Sequence, residues 1–146
     1  MKAGRRGRVA AEGGSMTLEA VILAPAMMAF VALVVFGARV SLAQQAVQVA
    51  ANDAARSASI ERTQQAAVAA STRSASATLT TQDVECQSVD VDVDASQFGV
   101  ALGEKASATA TVTCVVSMGS LSMMGVPGQM EISRTASSPI DSYRER

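Results

Sequence analysis

Residues 12–39 read EGGSMTLEAVILAPAMMAFVALVVFGAR, and the uncharged part of this stretch runs from Ala20 to Ala38. At about 1.5 Å per residue, these residues form roughly 28 Å of α-helix, which is close to the hydrocarbon thickness of a bilayer. The stretch therefore predicts a membrane-spanning helix, which occupies residues 15–42 once its flanks are included. Pro25 cannot donate a hydrogen bond to the Val21 carbonyl and is expected to kink or loosen the first turns.

The charges beside this segment predict its orientation. Only Arg39 directly follows it, whereas four basic side chains precede it: Lys2, Arg5, Arg6 and Arg8. The positive-inside rule then leaves the N-terminus cytoplasmic and exports the C-terminal part. We expect a single-pass protein of the cell membrane with an extracytoplasmic domain.

Composition argues against several classes of function. The 146 residues include no His, the side chain that most acid-base and metal chemistry uses, so an enzyme, a cofactor or a metal site is not expected. Without residues 1–14 the chain carries 8 basic and 12 acidic side chains. This balance gives no general attraction to nucleic acid, and no direct nucleic-acid partner is expected.

Residues 43–80 predict an alanine-rich helical stalk. Small apolar side chains recur at helical spacing and form one stripe: Ala43, Val47, Ala50, Ala54 and Ala58. Polar side chains lie off this stripe, among them Gln44, Gln48, Asn52, Arg56 and Ser59. We expect one helix from near Met16 to about residue 60. A second helix is predicted from Gln64 to about Ala77, with Thr63 as its N-cap.

Residues 81–146 predict a small β-rich head. Apolar and polar side chains alternate from Val84, and residues 106–118 are rich in Thr and Val, so both stretches predict strands. A hairpin centred in the connecting residues 95–105 would place Cys86 directly opposite Cys114. This register favours a cross-strand disulfide in an oxidising compartment.

A third short strand is expected around Met130, Ile132 and Arg134, after a turn at residues 126–128 and before Pro139 ends it. The predicted fold class is α+β: a long N-terminal transmembrane and stalk helix followed by a small antiparallel sheet. Methionines 123, 124 and 130 are interpreted as filler for a small core.

Asp90, Asp92 and Asp94 form the densest polar group, on one face of the first strand. Calcium loops of similar spacing need a Gly where Ala95 stands and a Glu where Ala101 stands. The group is therefore interpreted as a solvated strand face.

The sequence Glu12-Gly13-Gly14-Ser15-Met16-Thr17-Leu18-Glu19 resembles the type IV prepilin cleavage motif, in particular that of TadE-like minor pseudopilins. The Pro-containing anchor, the alanine-rich stalk and the paired cysteines also look TadE-like. This resemblance implies a pilin-like fold and a part in assembling a Tad (Flp) pilus for adhesion, secretion or DNA uptake.

The resemblance also implies site residues and partners. A prepilin peptidase would remove residues 1–14 by cutting the Gly14–Ser15 bond, and Glu19 would then pair with the Ser15 amine of a neighbouring subunit. The implied partners are the membrane, the prepilin peptidase, other pilin or pseudopilin subunits and the Tad inner-membrane platform.

Two other interpretations remain open. Ser41-Leu42-Ala43 resembles a signal-peptidase site, whose use would release a soluble domain beginning at Gln44. Alternatively, the helix is an uncleaved single-span anchor, and the outer domain binds a ligand or a cell-wall component. The 19-residue apolar run and Arg39 in the cleavage region argue against the first alternative, and the second leaves Gly14 and Glu19 unexplained.

Overall fold

The computed structural model describes residues 13–101, 103–117 and 128–141, with side chains described from Glu19 onward. The chain divides into two compact units, one ending at Arg39 and the other beginning at Val40. The first unit contains the apolar part of helix α1 (Gly13–Ile60), which continues through Pro25. The predicted helix from near Met16 to about residue 60 is confirmed.

The second unit consists of the remainder of α1, helix α2 (Gln64–Thr81) and a three-stranded antiparallel sheet. Its strands are β1 (Cys86–Asp94), β2 (Ala106–Ser117) and β3 (Gln129–Ile140), in the spatial order β1-β2-β3. The predicted α+β class is confirmed. This second unit includes the predicted stalk residues as well as the predicted β-rich head, and from here on we call the whole unit the head.

Helix α2 has well-defined ends. Thr63 is its N-cap, as predicted, and the Thr63 hydroxyl accepts a hydrogen bond from the Ala66 amide at 3.2 Å. At the other end, Asp83 adopts a positive φ of 56°, while the Val84 and Asp83 amides donate to the Leu79 and Thr80 carbonyls. This Schellman arrangement extends α2 to Thr81, four residues beyond the predicted end.

Alanine fills most of the head's interior. The α1 residues Ala50, Ala54 and Ala58 are fully buried, and they pack in one cluster with Leu79 of α2 and with the inner face of the sheet. The largest fully buried side chains are no bigger than valine or cysteine: Val47, Val112, Cys114 and Ser71. Small side chains allow the helices and the sheet to approach closely, so packing depends on fit more than on buried area.

The hairpin register differs from the prediction. Val89, rather than Cys86, lies opposite Cys114, and Cys86 lies opposite Val116 beyond a bulge at Gln87. The connection between the strands is asymmetric, because a 3-10 turn at Ser96–Gly99 brings Gln97 beside the first residues of β2. There the Ser107 amide donates to Gln97 Oε1 at 2.8 Å, so a side chain occupies the place where β1 would have continued.

Strand β3 is longer than predicted and includes Pro139, which pairs with Ser107. The prediction that Pro139 ends the strand is therefore wrong. β3 lies at the edge of the sheet, where the N–H that proline lacks need not bind a neighbouring strand. The predicted turn at residues 126–128 falls mostly outside the described residues, as do Met123 and Met124, whereas Met130 packs against the core.

Candidate functional site: the N-terminal helix and the head

The predicted processing bond lies at the start of α1. Gly14 and Ser15 both have helical backbone, and residues 1–12 of the predicted basic leader, residues 1–14, lie outside the described part of the chain. Glu19, one turn further along, is exposed. It is also the only acidic residue in the sequence between Glu12 and Asp53.

The helix surface that follows Glu19 is apolar on every side. No residue from Glu19 to Arg39 is classed as buried, and the exposed side chains include Ile22, Leu23, Phe30 and Leu33, each at least 60% exposed. The helix is long and apolar enough to cross a bilayer. An exposed surface of this kind is stable only against lipid or other apolar helices, so this part of α1 is a candidate membrane anchor.

The head contains the predicted disulfide. Cys86 and Cys114 are bonded with a Cα–Cα distance of 5.5 Å, although they are not directly opposite each other in the ladder. Both side chains lie on the inner face of the sheet, where Cys114 is completely buried. The bond fastens β1 to β2 next to the bulge, at the end of the sheet distant from the hairpin connection.

The sheet face that points away from the helices is mostly polar, with Val115 of β2 as an apolar exception. Asp90, Asp92 and Asp94 of β1 are exposed on it, as predicted, opposite Thr113, Thr111 and Thr109 of β2. The hydroxyls of β2 continue to those of β3 in three cross-strand pairs: Thr109–Ser137, Thr111–Thr135 and Thr113–Ser133. We call this surface the acidic sheet face.

Asp94 also shapes the hairpin connection. The Ser96 amide donates to Asp94 Oδ1 at 2.9 Å, and this bond, together with one from the Ser96 side chain, lowers the pKa of the Asp94 carboxyl below its usual value. Hydrogen bonds to the charged form favour ionisation. Within the described residues, no group of three or more Cys, Asp or Glu side chains is placed to hold a metal ion.

Several polar contacts that join α1 to its neighbours were not foreseen from the sequence. Ser71 is fully buried and donates to the Ala54 carbonyl at 2.9 Å, and Thr78 donates to Asp53 Oδ2 at 2.7 Å. Ser59, which was expected off the apolar stripe, is buried and accepts from Ser138 of β3. A signal for the first contact exists in α2, because Ser71 falls on the same i, i+4 row as Ala67, Ala75 and Leu79.

These features define a protein with a candidate single-pass anchor and a small disulfide-linked α+β head. A family model described as TadE-like protein matches residues 14–56. The match includes Gly14, Ser15, Glu19 and the alanine-rich end of α1, and it stops before α2 and the sheet. It confirms the TadE-like resemblance for this segment. No curated protein matches the chain, and no solved structure does.

Proposed function

We propose that the chain is a minor pseudopilin that a prepilin peptidase processes and that takes part in assembling a Tad (Flp) pilus. In this role it is a structural subunit and has no catalytic activity. The N-terminus lies in the cytoplasm, the peptidase cuts between Gly14 and Ser15, and the head lies outside the membrane, in the assembled pilus at the cell surface. Its partners are the peptidase, other pilin subunits and the inner-membrane platform.

The observation that carries this proposal is the position of Glu19 in the TadE-like segment, exposed at the start of an apolar helix surface. A carboxylate that enters a bilayer costs several kcal/mol unless a positive group compensates it. The amine that cleavage would create at Ser15 of a neighbouring subunit is such a group. Pairing would offset the cost only when two subunits dock, and Glu19 would then favour assembly over the isolated subunit.

The rival signal-peptidase site is less well supported. Ser41, Leu42 and Ala43 are all helical within α1, and Ala43 packs against the head's core. Cleavage after Ala43 would therefore require local unwinding and would remove a core contact. The other rival, an uncleaved anchor with a ligand-binding head, accounts for the apolar helix but assigns no role to Glu19.

Two substitutions test the proposal in the native host. Glu19→Gln removes the charge at almost constant size, so cleavage should proceed while incorporation into pili falls at least about tenfold, since the lost pairing is a desolvated one. Gly14→Val should block cleavage, because the peptidase must approach the backbone at this position. Mass spectrometry measures cleavage, and immunoblotting of sheared pili measures incorporation.

Glu104→Gln is the matched control, because it makes the same charge-removing change at an exposed residue of the connection between β1 and β2. It should leave both cleavage and incorporation unchanged. Normal incorporation of the Glu19→Gln variant would contradict the proposed pairing. Normal cleavage of the Gly14→Val variant would contradict the proposed processing site.

A further inference from the structure

Exposed charges in the head are divided by sign between its helices and the rest of it. From Val40 to Gln82, every exposed charged side chain is an arginine: Arg56, Arg62 and Arg73. From Asp83 to Asp141, the described residues have Lys105 as their only exposed cation, against eight exposed carboxylates: Asp83, Glu85, Asp90, Asp92, Asp94, Glu104, Glu131 and Asp141. The head is therefore electrostatically polarised.

On the negative side, the carboxylates are concentrated on the acidic sheet face. Asp90, Asp92 and Asp94 form a row along β1, and Glu131 lies on the same face of β3, opposite Val115. The hydroxyls between them are occupied with one another across the strands. No lysine or arginine shares this face among the residues that the structure describes, so no cation of the described strands neutralises its charge.

On the positive side, the arginines point away from the core. Arg56 belongs to an exposed stripe of α1 with Val49, Asn52 and Ile60, opposite the buried alanines of the same helix. Arg73 of α2 is likewise turned away from the buried row that contains Ser71 and Ala75. Val49 is 40% exposed and Ile60 is 75% exposed, which adds apolar contact area beside the charges. We call the exposed surface of α1 and α2 that carries Arg56 and Arg73, together with Arg62 in the connection between the two helices, the arginine helix face.

We propose that the acidic sheet face of one copy binds the arginine helix face of a second copy. The helices and the sheet form the two layers of the head, so the two faces lie on its opposite sides. A contact between different faces is heterologous, and each bound copy leaves a free face for the next. The proposal builds on the assembly role given above and identifies a partner for the head, a second copy of this chain.

The net charge of the head, taken alone, predicts that two copies repel each other rather than bind. Residues 40–141 contain ten acidic and five basic side chains, so heads that approach in random orientations repel each other. Removing negative charge from any position should then strengthen self-association. Under our proposal, removing it from the acidic sheet face weakens self-association, because the complementary surface is lost.

The first experiment compares two triple neutralisations in the full chain, reconstituted in detergent micelles, with self-association measured by sedimentation equilibrium. One variant carries Asp90→Asn, Asp92→Asn and Asp94→Asn. The control carries Asp83→Asn, Glu85→Gln and Glu104→Gln, which removes the same charge from exposed positions outside the sheet face. We expect at least about tenfold weaker association for the first variant and equal or stronger association for the control.

The second experiment exchanges the charges. Asp90, Asp92 and Asp94 are changed to Lys in one variant, and Arg56, Arg62 and Arg73 are changed to Glu in another. Each variant alone should self-associate weakly, and a mixture of the two should show association restored through the reversed contact. Binding of the native chain should also weaken as salt is raised from about 0.05 M to 0.5 M, because exposed charges are screened.

Folding is checked in each variant by the mass shift of the Cys86–Cys114 disulfide and by circular dichroism. Equal effects of the two triple neutralisations, or a mixture that does not associate, would overturn the proposal. All of these variants retain Gly14 and Glu19, so failure of the head contact is distinguishable from failure of processing or of Glu19 pairing.

Discussion

The two parts of helix α1 place large and small apolar side chains in opposite environments. Before Arg39, large side chains such as Leu23 and Phe30 are each 60% exposed. After Val40, the helix buries alanines, including Ala50 and Ala54, which are fully inaccessible. A water-soluble helix buries its largest apolar residues, so the first part of α1 has the surface of a helix that needs lipid or other helices around it.

The contrast also shows how the two parts gain stability. Apolar surface contributes roughly 25 cal/mol per Å² removed from water, and an alanine side chain offers little of it. The head therefore depends on close fit, on buried hydrogen bonds such as Ser71 to Ala54, and on its disulfide. The stability of the apolar part of α1 depends instead on the lipid or the apolar helices that surround it.

The largest expected difference between the two parts of α1 is their response to an added charge. Phe30→Arg places a cation near the centre of this segment, at a cost of about 2.5–3.5 kcal/mol for insertion. We expect a several-fold loss of protein that resists carbonate extraction from membranes. Asn52→Arg, which adds the same charge on the exposed side of α1 in the head, should have no effect, and an equal loss would contradict the distinction.

Removing the disulfide should affect the head alone. The bond closes a sequence separation of 28 residues, so the chain-entropy estimate for the double variant Cys86→Ser and Cys114→Ser is a loss of about 3 kcal/mol. Urea denaturation followed by tryptic sensitivity of the head measures this loss. Membrane integration should be unchanged, and reduced integration would show that the head and the anchor are not energetically separate.

The same alanine-to-leucine substitution should destabilise the head but not the apolar part of α1. Ala54→Leu adds three carbons to a fully buried site and should cost about 1–3 kcal/mol or more through overpacking. Ala32→Leu makes the same change where the side chain is exposed, and it should leave both folding and insertion unaffected. Thermal denaturation of the two variants gives the comparison, and equal destabilisation would argue against the close-packed alanine core.

Asp94 is expected to give the smallest effect. Its folded-state pKa is lowered by hydrogen bonds from Ser96, so the stability it contributes is present above its unfolded pKa and is lost as the pH falls through the lower folded value. The melting temperature of the native head should thus exceed that of the Asp94→Asn variant slightly at pH 7. The difference should vanish once the pH falls below this lowered folded-state pKa.

The sequence predicts the elements of the fold well because their patterns are local. The uncharged run after Glu19, the Thr63 cap and the alternation of Val and Asp in β1 each reflect contacts within a few residues. The partners of the disulfide were also predictable from the even cysteine count. Gly14, Ser15 and Glu19 were identified through the resemblance to the prepilin cleavage motif, and the TadE-like match to residues 14–56 includes all three.

Features that depend on distant contacts were missed or wrong. The hairpin register requires knowing that Gln97 folds back on Ser107, which no local pattern indicates. Pro139 remains in β3 because that strand lies at the edge of the sheet, a fact of topology. Ser59 likewise contacts Ser138, which is 79 residues away in the sequence.

The identity of the first residue in the membrane-associated protein tests the central claim most directly. We would isolate the native product from both the membrane fraction and the soluble fraction of its host and determine its N-terminus by intact mass and terminal peptide sequencing. The proposed processing predicts Ser15 with the apolar helix retained. A product that begins at Gln44 would show release of a soluble domain, and one that begins at Met1 would show an uncleaved anchor; either result would contradict the pseudopilin account.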